Sequence, residues 1–378
     1  MPQRILVLSA SVGAGHIRAA QAMELALKAA SPGATVRNVD VLTLTGAVFR
    51  RVYAKAYLDL VNRAPHLLGY IYDLTDAARK TGKHRDRLHA LGQRVNLSKV
   101  IELLGSEPWD MVVNTHFLPA DIIATLHRRR KPAPRQVTVV TDFDAHGFWV
   151  NQPCERYFVA TEEAALSLGH WGVARGDVEV TGIPIHPVFN EAKTREACRG
   201  KHGIATDRPV VLLLAGGFGV GPIERMLEEI LKVERPLSVV AIAGKNEALR
   251  ARLAKAVVPK QHKVHAVGFT TEIDEFMRAA DLVVTKPGGL TTSEVLACGA
   301  AMAIVNPIPG QESRNSDYLL EHGAAIKINS LASLAYKLGG LLADGGRIER
   351  LRQSARALGH PGAAADIAGR VLGMVSAK

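Results

Sequence analysis

Residues Asp281 to Val295 read DLVVTKPGGLTTSEV, and this short passage carries the main indication of the architecture. Its apolar run Leu282–Thr285 has the length and the β-branched residues of a buried strand. The run ends at a Pro-Gly-Gly turn, and the following Thr-Thr-Ser-Glu is typical of the first turn of a helix. A strand that passes through a tight turn into a helix is the repeating unit of a parallel α/β sheet.

The same alternation of short apolar runs and helical stretches extends along the chain in both directions. The predicted strands are Arg4–Ser9, Thr35–Val41, Asp110–Asn114, Gln136–Val140, Arg156–Ala160 and Val178–Thr181 in a first set, and Val210–Ala215, Leu237–Ala243, His262–Val267, Leu282–Thr285 and Met302–Val305 in a second. Continuous apolar runs between helices indicate parallel sheets with both faces covered. We therefore predict an α/β fold with two doubly wound, Rossmann-like parallel-sheet domains that face a cleft.

A proline-punctuated turn, GIPIHP at 182–187, separates the two sets of strands, and the charged residues 191–208 follow it. Such a turn between two apolar segments is typical of a domain boundary. We place an N-terminal domain at residues 1–187, a C-terminal domain at residues 188–345, and a last helical segment at residues 346–378.

The composition is that of a globular protein, with 378 residues of which 47% are hydrophobic and 22% are charged. Aromatic residues make up 5% of the chain, and no helix-turn-helix, zinc-finger or RNA-binding signature occurs, so we expect no nucleic-acid partner. The three cysteines, Cys154, Cys198 and Cys298, form no CxxC pair, which disfavours a disulfide framework or a structural zinc site. The start of the chain does not have the pattern of a signal peptide, and no apolar run approaches the roughly 18 residues of a membrane span.

Most of the positive charge lies in one segment. Residues 50–99 contain 11 Lys and Arg and 4 Asp, a net +7 of the chain's +11. Arg50 and Arg51 alternate there with large apolar residues that include Tyr53 and Tyr57. Basic residues beside large apolar ones suit an anionic membrane surface. The alternative is an amphipathic helical hairpin that packs on its own domain and exposes a solvated basic face.

Two loops after strands of the first set carry candidate chemistry, because ligands of doubly wound sheets bind beyond the carboxyl ends of the strands. The loop SASVGAGH at 9–16 has small residues and leads into a helix, so His16 is either an acid–base residue in the cleft or a capping or surface histidine. The loop TDFDAHGFW at 141–149 is either a wall of the site or a packing loop. A complete GxGxxG and a P-loop lysine are both absent, which disfavours dinucleotide and Walker-type sites.

Three loops of the second set favour a phosphate-bearing, hydroxyl-rich ligand. GGFGVG at 216–221 either brings backbone N–H groups to a phosphate or is a simple turn. KPGGLTTSE at 286–294 offers an anion N–H groups, hydroxyls and the positive end of a helix dipole, and Glu294 could accept hydrogen bonds from ribose. In PIPGQE at 307–312, Gln311 and Glu312 suit a sugar. The alternative for the last two loops is a capped helix without a ligand.

Five ordered stretches make the chain resemble the GT-B glycosyltransferases, close to the monogalactosyl- and monoglucosyl-diacylglycerol synthases. They are GAGHIRAAQAM, YLDLVNRAPHLLGYIYDLTD, TDFDAHGFWVNQPCERYFVATEE, VTGIPIHPVF, and GFTTEIDEFMRAADLVVTKPGGLTTSEVLACGAAMAIVNPIPGQESRN. The chain is more distantly similar to the peptidoglycan N-acetylglucosaminyltransferase that acts on an undecaprenyl lipid. One departure is Ala14 in Gly13-Ala14-Gly15-His16, where many relatives have glycine; we expect the loop to tolerate alanine if its φ is negative.

The resemblance implies a role for each matching position. His16 matches the base that activates the acceptor hydroxyl, and residues 43–75 match the region that contacts membrane and lipid. It implies that separate loops contact the uracil, diphosphate, ribose and sugar of the donor. It also implies that residues of the N-terminal half contact the acceptor or the membrane. The donor set is Gly217, Gly268, Phe269, Gly289, Leu290, Thr291, Thr292, Glu294, Gln311 and Glu312, and the acceptor or membrane set is Gly15, Arg50, Arg51, Tyr53, Tyr57, Asp142, His146 and Trp149.

The resemblance implies an inverting hexosyltransferase that moves glucose or galactose from a UDP-sugar to diacylglycerol at an anionic membrane, as a peripheral protein of the cytoplasmic face. It implies no cofactor and no metal; Asp142 and Asp144 have DxD spacing but lie in the acceptor half. The last helix, about residues 346–376, is expected to cross back to the first domain. The alternatives are transfer to another lipid or polyprenyl acceptor, a non-catalytic lipid- or nucleotide-binding regulator, and a sugar-nucleotide epimerase.

Overall fold

The computed structural model describes residues 2–46, 97–214 and 222–377, which contain two sheets of six parallel strands each. The strands are β1 (Arg4–Ser9), β2 (Thr35–Asp40), β3 (Met111–Asn114), β4 (Gln136–Val139), β5 (Arg156–Val159), β6 (Val178–Val180), β7 (Val210–Leu214), β8 (Ser238–Ile242), β9 (Lys263–Val267), β10 (Leu282–Thr285), β11 (Ala301–Val305) and β12 (Ala325–Ile328). The two doubly wound parallel sheets predicted from the sequence are confirmed.

Helices connect the strands, as a parallel sheet requires. They are α1 (Ala14–Ala30), α2 (Ser98–Gly105), α3 (Phe117–Arg128), α4 (Glu162–His170), α5 (Arg195–Lys201), α6 (Ile223–Ile230), α7 (Glu247–Ala254), α8 (Ile273–Ala279), α9 (Gly289–Ala297), α10 (Gln311–Glu321), α11 (Leu334–Ala343), α12 (Gly345–Leu358) and α13 (Ala363–Ser376). Within the described ranges, no helix is both long and apolar enough to cross a membrane.

The first sheet has the strand order β2-β1-β3-β4-β5-β6. Leu6 of β1 pairs with Arg37 of β2 on one side and with Val112 of β3 on the other. The order reverses between β1 and β3, and the crevice beyond the carboxyl ends of such a strand pair is where doubly wound sheets bind ligands. The loops that follow β1 and β3 therefore hold the first candidate site.

The second sheet has the order β12-β11-β10-β7-β8-β9, the strand order of the dinucleotide-binding Rossmann fold. Leu212 of β7 pairs with Val283 of β10 and with Val240 of β8. The reversal lies between β7 and β10. The loop after β10 therefore occupies the ligand-binding edge of this sheet, and most of the loop after β7, residues 215–221, lies outside the described residues.

Strand β1 explains why the apolar runs of the sequence are continuous. Ile5 and Val7 pack with residues of α1 and α13 on one face of the sheet, whereas Leu6 and Leu8 pack with residues of α2 and α3 on the other. All four side chains are fully buried. Burial of each aliphatic side chain contributes about 1.5–3 kcal/mol, so both faces of the sheet hold their helices in place.

Contacts divide the chain into two compact units. The first comprises Met1–Pro187, Ile308–Arg314 and Pro361–Lys378, and the second comprises Val188–Pro307 and Asn315–His360. In the first unit, α13 packs on α1. The sequence predicts one helix over about 346–376, whereas the structure has two, because Pro361 cannot continue a helix. Gly359 lies so close to the Leu296 carbonyl, in the second unit, that a Cβ would be 2.7 Å from that oxygen.

Strand β12 is the one strand of the described residues that the sequence analysis did not predict. It is four residues long and contains Lys327, so its apolar signal is weak. It pairs with β11, where Ala303 lies opposite Ile326. An edge position explains why one charged side chain is tolerated in this strand.

Candidate functional site

His16 lies in the first turn of α1, directly beyond the carboxyl end of β1. Gly13 caps this helix with an extended backbone, φ −147°, and Ala14 is its first residue. Ala14 does not have a positive φ, so the alanine that replaces a glycine of the family motif fits without strain. The helix start holds the imidazole beside the residues that follow β3.

The hydrogen bonds of His16 define its tautomer. Its Nδ1 atom lies 3.0 Å from the backbone oxygen of Thr115 and 3.0 Å from Oγ1 of Thr141. A carbonyl oxygen can only accept a hydrogen bond, so Nδ1 carries the proton and donates it. In the neutral ring the lone pair is then on Nε2, which is the atom that can remove a proton from a substrate.

The surroundings of His16 keep its imidazole neutral. Burial lowers the pKa of His16 to about 4, against the opposing effect of the hydrogen bond to Thr115. The first turn of a helix also disfavours a positive charge. Thr115 fixes the backbone of this residue as well, since its Oγ1 donates to the His16 carbonyl at 3.0 Å and its N–H donates to Leu8 of β1 at 2.9 Å.

An aromatic cluster surrounds the imidazole. The ring of His116 packs edge-on against His16 with 4.5 Å between centroids, and Phe117 lies 4.1 Å from His116. His146 and Trp149 complete this group, each within about 6 Å of Phe117 by ring centroid. His116 caps α3 because its Nδ1 accepts a hydrogen bond from the Leu118 N–H, and burial holds the pKa of His116 well below its ordinary value. The cluster gives the site a wall of packed imidazole and aromatic rings.

The carboxyl group of Asp142 contacts two members of this cluster, Trp149 and His146. Its Oδ2 accepts hydrogen bonds from Trp149 Nε1 at 3.2 Å and from Gln311 Nε2 at 3.3 Å, and it lies 3.9 Å from His146 Nε2. Burial raises the pKa of Asp142 to about 7, against the effect of the Trp149 hydrogen bond. The carboxyl group therefore titrates close to neutral pH.

Gln311 and Glu312 begin α10, in the segment that groups with the first unit. Glu312 Oε2 accepts a hydrogen bond from the Ile308 N–H at 2.7 Å, which closes the loop before the helix. Gly310 turns that loop with φ +97°, a conformation that favours glycine. The structure thus brings Gln311, 169 residues away in sequence, to Asp142.

The second unit presents the N-terminus of α9 at the end of β10. The first helical hydrogen bond runs from Thr292 N–H to the Gly288 carbonyl at 2.8 Å. Helix geometry therefore directs the N–H groups of Gly289, Leu290 and Thr291 out of the helix end, where they suit an anion. Glu294, one turn further along α9, is 1% exposed.

The turn at Pro287 is held by α10, because Asn315 Nδ2 donates to the Pro287 carbonyl at 2.9 Å.

Gly268 and Phe269 follow β9, which is an edge strand of the second sheet. A Cβ on Gly268 would lie 2.9 Å from Glu247 Oε1, the end of a flexible side chain that can move aside. The Phe269 ring is 63% exposed, with Lys245 Nζ 5.5 Å from its centroid. Phe269 is thus an exposed residue at the edge of the sheet.

One group of described residues has the spacing of metal ligands, namely His202, Glu272 and Glu275. Lys201 Nζ lies 2.8 Å from a carboxylate oxygen of each glutamate, and Lys193 pairs with Glu275 at 3.3 Å. The lysines neutralise both carboxylates, so the group is an ion-pair network. Asp142 and Asp144 are not part of it.

Several residues of this site were not singled out by the sequence analysis. They are Thr115, His116, Phe117 and Arg314, whereas Thr141 was named only as the first residue of the loop 141–149. The available signal was the sequence NTHF at 114–117, which follows β3 in the same way that SASVGAGH follows β1. Of the predicted residues, Gly217, Arg50, Arg51, Tyr53 and Tyr57 lie outside the described ranges.

Comparison with known proteins identifies two family segments. Residues 16–185 match the monogalactosyldiacylglycerol (MGDG) synthase family, and residues 194–358 match the glycosyl transferases group 1 family. A processive diacylglycerol beta-glucosyltransferase of Bacillus subtilis (strain 168) is 28% identical over 359 residues, which cover 94% of this chain and 91% of that protein.

Solved structures share the fold. MurG of Acinetobacter baumannii superposes with a TM-score of 0.60 at 14% identity, over 98% of this chain and all of that chain. Alr3699/HepE of Anabaena in complex with UDP-glucose gives a TM-score of 0.54 at 13% identity, over 98% of this chain and 99% of that chain. At these identities the likeness establishes the GT-B fold alone, and the activity follows from the family segments. The chain is a GT-B glycosyltransferase in which an MGDG-synthase-family segment precedes a group 1 glycosyltransferase segment.

Proposed function

We propose that this glycosyltransferase moves glucose from UDP-glucose to the free hydroxyl of diacylglycerol and forms a β-glucoside. The observation that carries the acceptor chemistry is the His16 tautomer, with the proton on Nδ1 donated to the Thr115 carbonyl. The proposal draws its substrates from the curated relative, whose name specifies diacylglycerol and a beta-glucosyl product. In this proposal residues 1–187 bind the acceptor and the membrane, and residues 188–345 bind the donor.

The reaction would proceed as one inverting displacement. The acceptor hydroxyl oxygen attacks the anomeric carbon while Nε2 of His16 removes its proton. The bond between the anomeric carbon and the β-phosphate oxygen breaks, and its electron pair leaves with UDP. A neutral imidazole is needed for this step, and the low pKa of His16 supplies it at neutral pH.

The second sheet supports a nucleoside diphosphate as the donor. The N-terminus of α9 would bind the diphosphate through the N–H groups at 289–291 and stabilise the leaving charge. The loop after β9 is three strands away from β10, about 14 Å at ordinary strand spacing. That span suits a uracil held by the backbone of Gly268 and Phe269, with Glu294 on the ribose.

We further propose that the protein works at an anionic membrane as a peripheral protein of the cytoplasmic face. The net +7 of residues 50–99 supports this, since each Lys or Arg near such a surface contributes about 1 kcal/mol. Arg50, Arg51, Tyr53 and Tyr57 would form this contact, in the segment that lies outside the described residues.

A product assay tests the function. Purified protein is incubated with diacylglycerol in neutral or anionic vesicles and with UDP-glucose or UDP-galactose, and the lipids are analysed by mass spectrometry. We expect hexosyl-diacylglycerol from UDP-glucose, with more product on anionic vesicles. Lipid products that carry two or more hexoses would indicate that this chain is processive like its relative. Product from UDP-galactose alone would correct the donor, and UDP binding without any lipid product would favour another acceptor or a non-catalytic nucleotide-binding role.

A further inference from the structure

Two contacts connect the start of α10 to the loop that follows β4, and both lie within the first unit. Gln311 Nε2 donates to Asp142 Oδ2 at 3.3 Å, and Arg314 Nη1 donates to Asp144 Oδ2 at 3.2 Å. Gln311 and Arg314 are three residues apart and so share one face of the helix, and the aspartates are two residues apart in an ordered loop. The spacing allows both pairs to form together.

The loop that carries these aspartates is held independently of α10. Ser167 Oγ of α4 donates to Asp144 Oδ1 at 2.8 Å, and Trp149 Nε1 donates to Asp142. Between them, the Phe143 carbonyl accepts a hydrogen bond of 2.6 Å from Thr161 Oγ1, and Thr161 is 3% exposed. Because other residues fix both carboxylates, they form a rigid receptor for the helix start.

The helix start is the part of the chain expected to touch the donor sugar. Its hydrogen bond to Asp142 fixes the direction of the Gln311 amide, and the bond from Ile308 N–H commits one carboxylate oxygen of Glu312 to the loop. A shift of this segment would move both side chains together. Displacements of about 1 Å in such positioning groups can cost about 100-fold in rate.

We propose that Asp142 and Asp144 are positioning residues that hold the N-terminus of α10, so that Gln311 and Glu312 recognise the hexose of the nucleotide sugar. This inference rests on the proposed function for the identity of the donor. It gives the DxD-spaced pair a role without a metal, as acceptors for Gln311 and Arg314.

The Asp144–Arg314 pair offers the cleaner test, because neither residue is expected to touch substrate. We would measure the affinity for UDP-glucose and for UDP by calorimetry, without acceptor, for the parent and for Asp144→Asn, Arg314→Gln and the double variant. Each single variant is expected to bind UDP-glucose about 3- to 10-fold more weakly, the scale of one typical hydrogen bond, and to bind UDP within twofold of the parent. The double variant should be no weaker than the weaker single variant, because both changes remove the same contact.

A matched control is the ion pair Glu162–Arg175, which lies in the same unit and has 3.0 Å between Glu162 Oε2 and Arg175 Nη2. Glu162→Gln and Arg175→Gln should leave both affinities unchanged. Unchanged UDP-glucose affinity in the Asp144 and Arg314 variants would overturn the inference, and so would an equal loss for UDP and UDP-glucose. The proposed function is tested separately, and it is wrong if the parent binds UDP-glucose but makes no glycolipid. In that case the comparison of UDP-glucose and UDP affinities still decides whether Asp144 and Arg314 are positioning residues.

Discussion

Nδ1 of His16 lies 3.0 Å from the Thr115 carbonyl oxygen, and this contact joins the loop after β1 to the loop after β3. These two strands are neighbours at the switch point of the first sheet. A backbone oxygen thus performs the orienting task that a carboxylate performs in many histidine-based sites. Because a carbonyl is uncharged, it fixes the tautomer without raising the basicity of the ring as strongly as a carboxylate would.

Replacement of His16 by alanine is expected to lower turnover at least about 100-fold, the ordinary scale for loss of a general base. UDP affinity should stay within twofold, because the loops that we propose to bind the nucleotide belong to the second sheet. Steady-state kinetics with calorimetry of UDP checks both values. His170→Ala, which removes an exposed histidine at the end of α4, is the matched control and should retain full turnover. Near-normal turnover of the His16 variant would rule out its role as the base.

Thr141 provides a second test of the same geometry, since its Oγ1 lies 3.0 Å from His16 Nδ1. Thr141→Val keeps the shape of this buried side chain and removes the hydroxyl. We expect kcat to fall about 3- to 10-fold, the value of one neutral hydrogen bond, with little change in the donor KM. Thr141→Ser retains the hydroxyl and should recover most of the loss. Equal kcat values for all three proteins would show that the hydroxyl does not orient the imidazole.

The raised pKa of Asp142 predicts the direction in which the free energy of unfolding changes with pH. Burial raises the pKa of this carboxyl group from 3.8 to about 7 in the folded protein. The charges of Asp144 and Glu312 also raise it, whereas the Trp149 hydrogen bond and the charge of Arg314 lower it. His146 also faces the carboxyl group. The folded state therefore holds this proton more tightly than the unfolded state. The resulting stabilisation is complete below about pH 4 and is lost as the pH rises through about 7.

The comparison with Asp142→Asn isolates this effect, because an amide does not titrate. Urea unfolding at pH 5 and pH 8 should show that the parent loses stability relative to the variant at the higher pH. A difference between parent and variant that is the same at both pH values would contradict the raised pKa.

The sequence predicts the two sheets well because most strands are short apolar runs that are buried on both faces. Five of the predicted strands end at the residue where the structure ends them, as at Ser9 and Thr285. The sequence also singles out His16, since the residue closes a small-residue loop after a strand. The hydrogen-bond partners of His16 could not be predicted. Thr115 and Thr141 lie next to it only because β1, β3 and β4 are neighbours in the sheet. Spacing along the chain carries no information on that order. Gln311 shows the same limit, since its partner Asp142 is 169 residues away.

Glu294 gives the sharpest test of the proposed nucleotide site. Its carboxylate is buried one turn into α9, where it is expected to accept hydrogen bonds from ribose hydroxyls. Glu294→Gln preserves volume, so it should weaken UDP binding about 10-fold without opening a cavity. The parent should also bind UDP more tightly than 2′-deoxy- or 3′-deoxy-UDP, and this preference should shrink in the variant, because the contact is specific to the hydroxyls. Calorimetry with the three nucleotides measures both effects, and Glu321→Gln, at the exposed end of α10, is the control that should change neither. A variant that binds more weakly but keeps the full preference for ribose would assign Glu294 to the support of α9 rather than to the nucleotide.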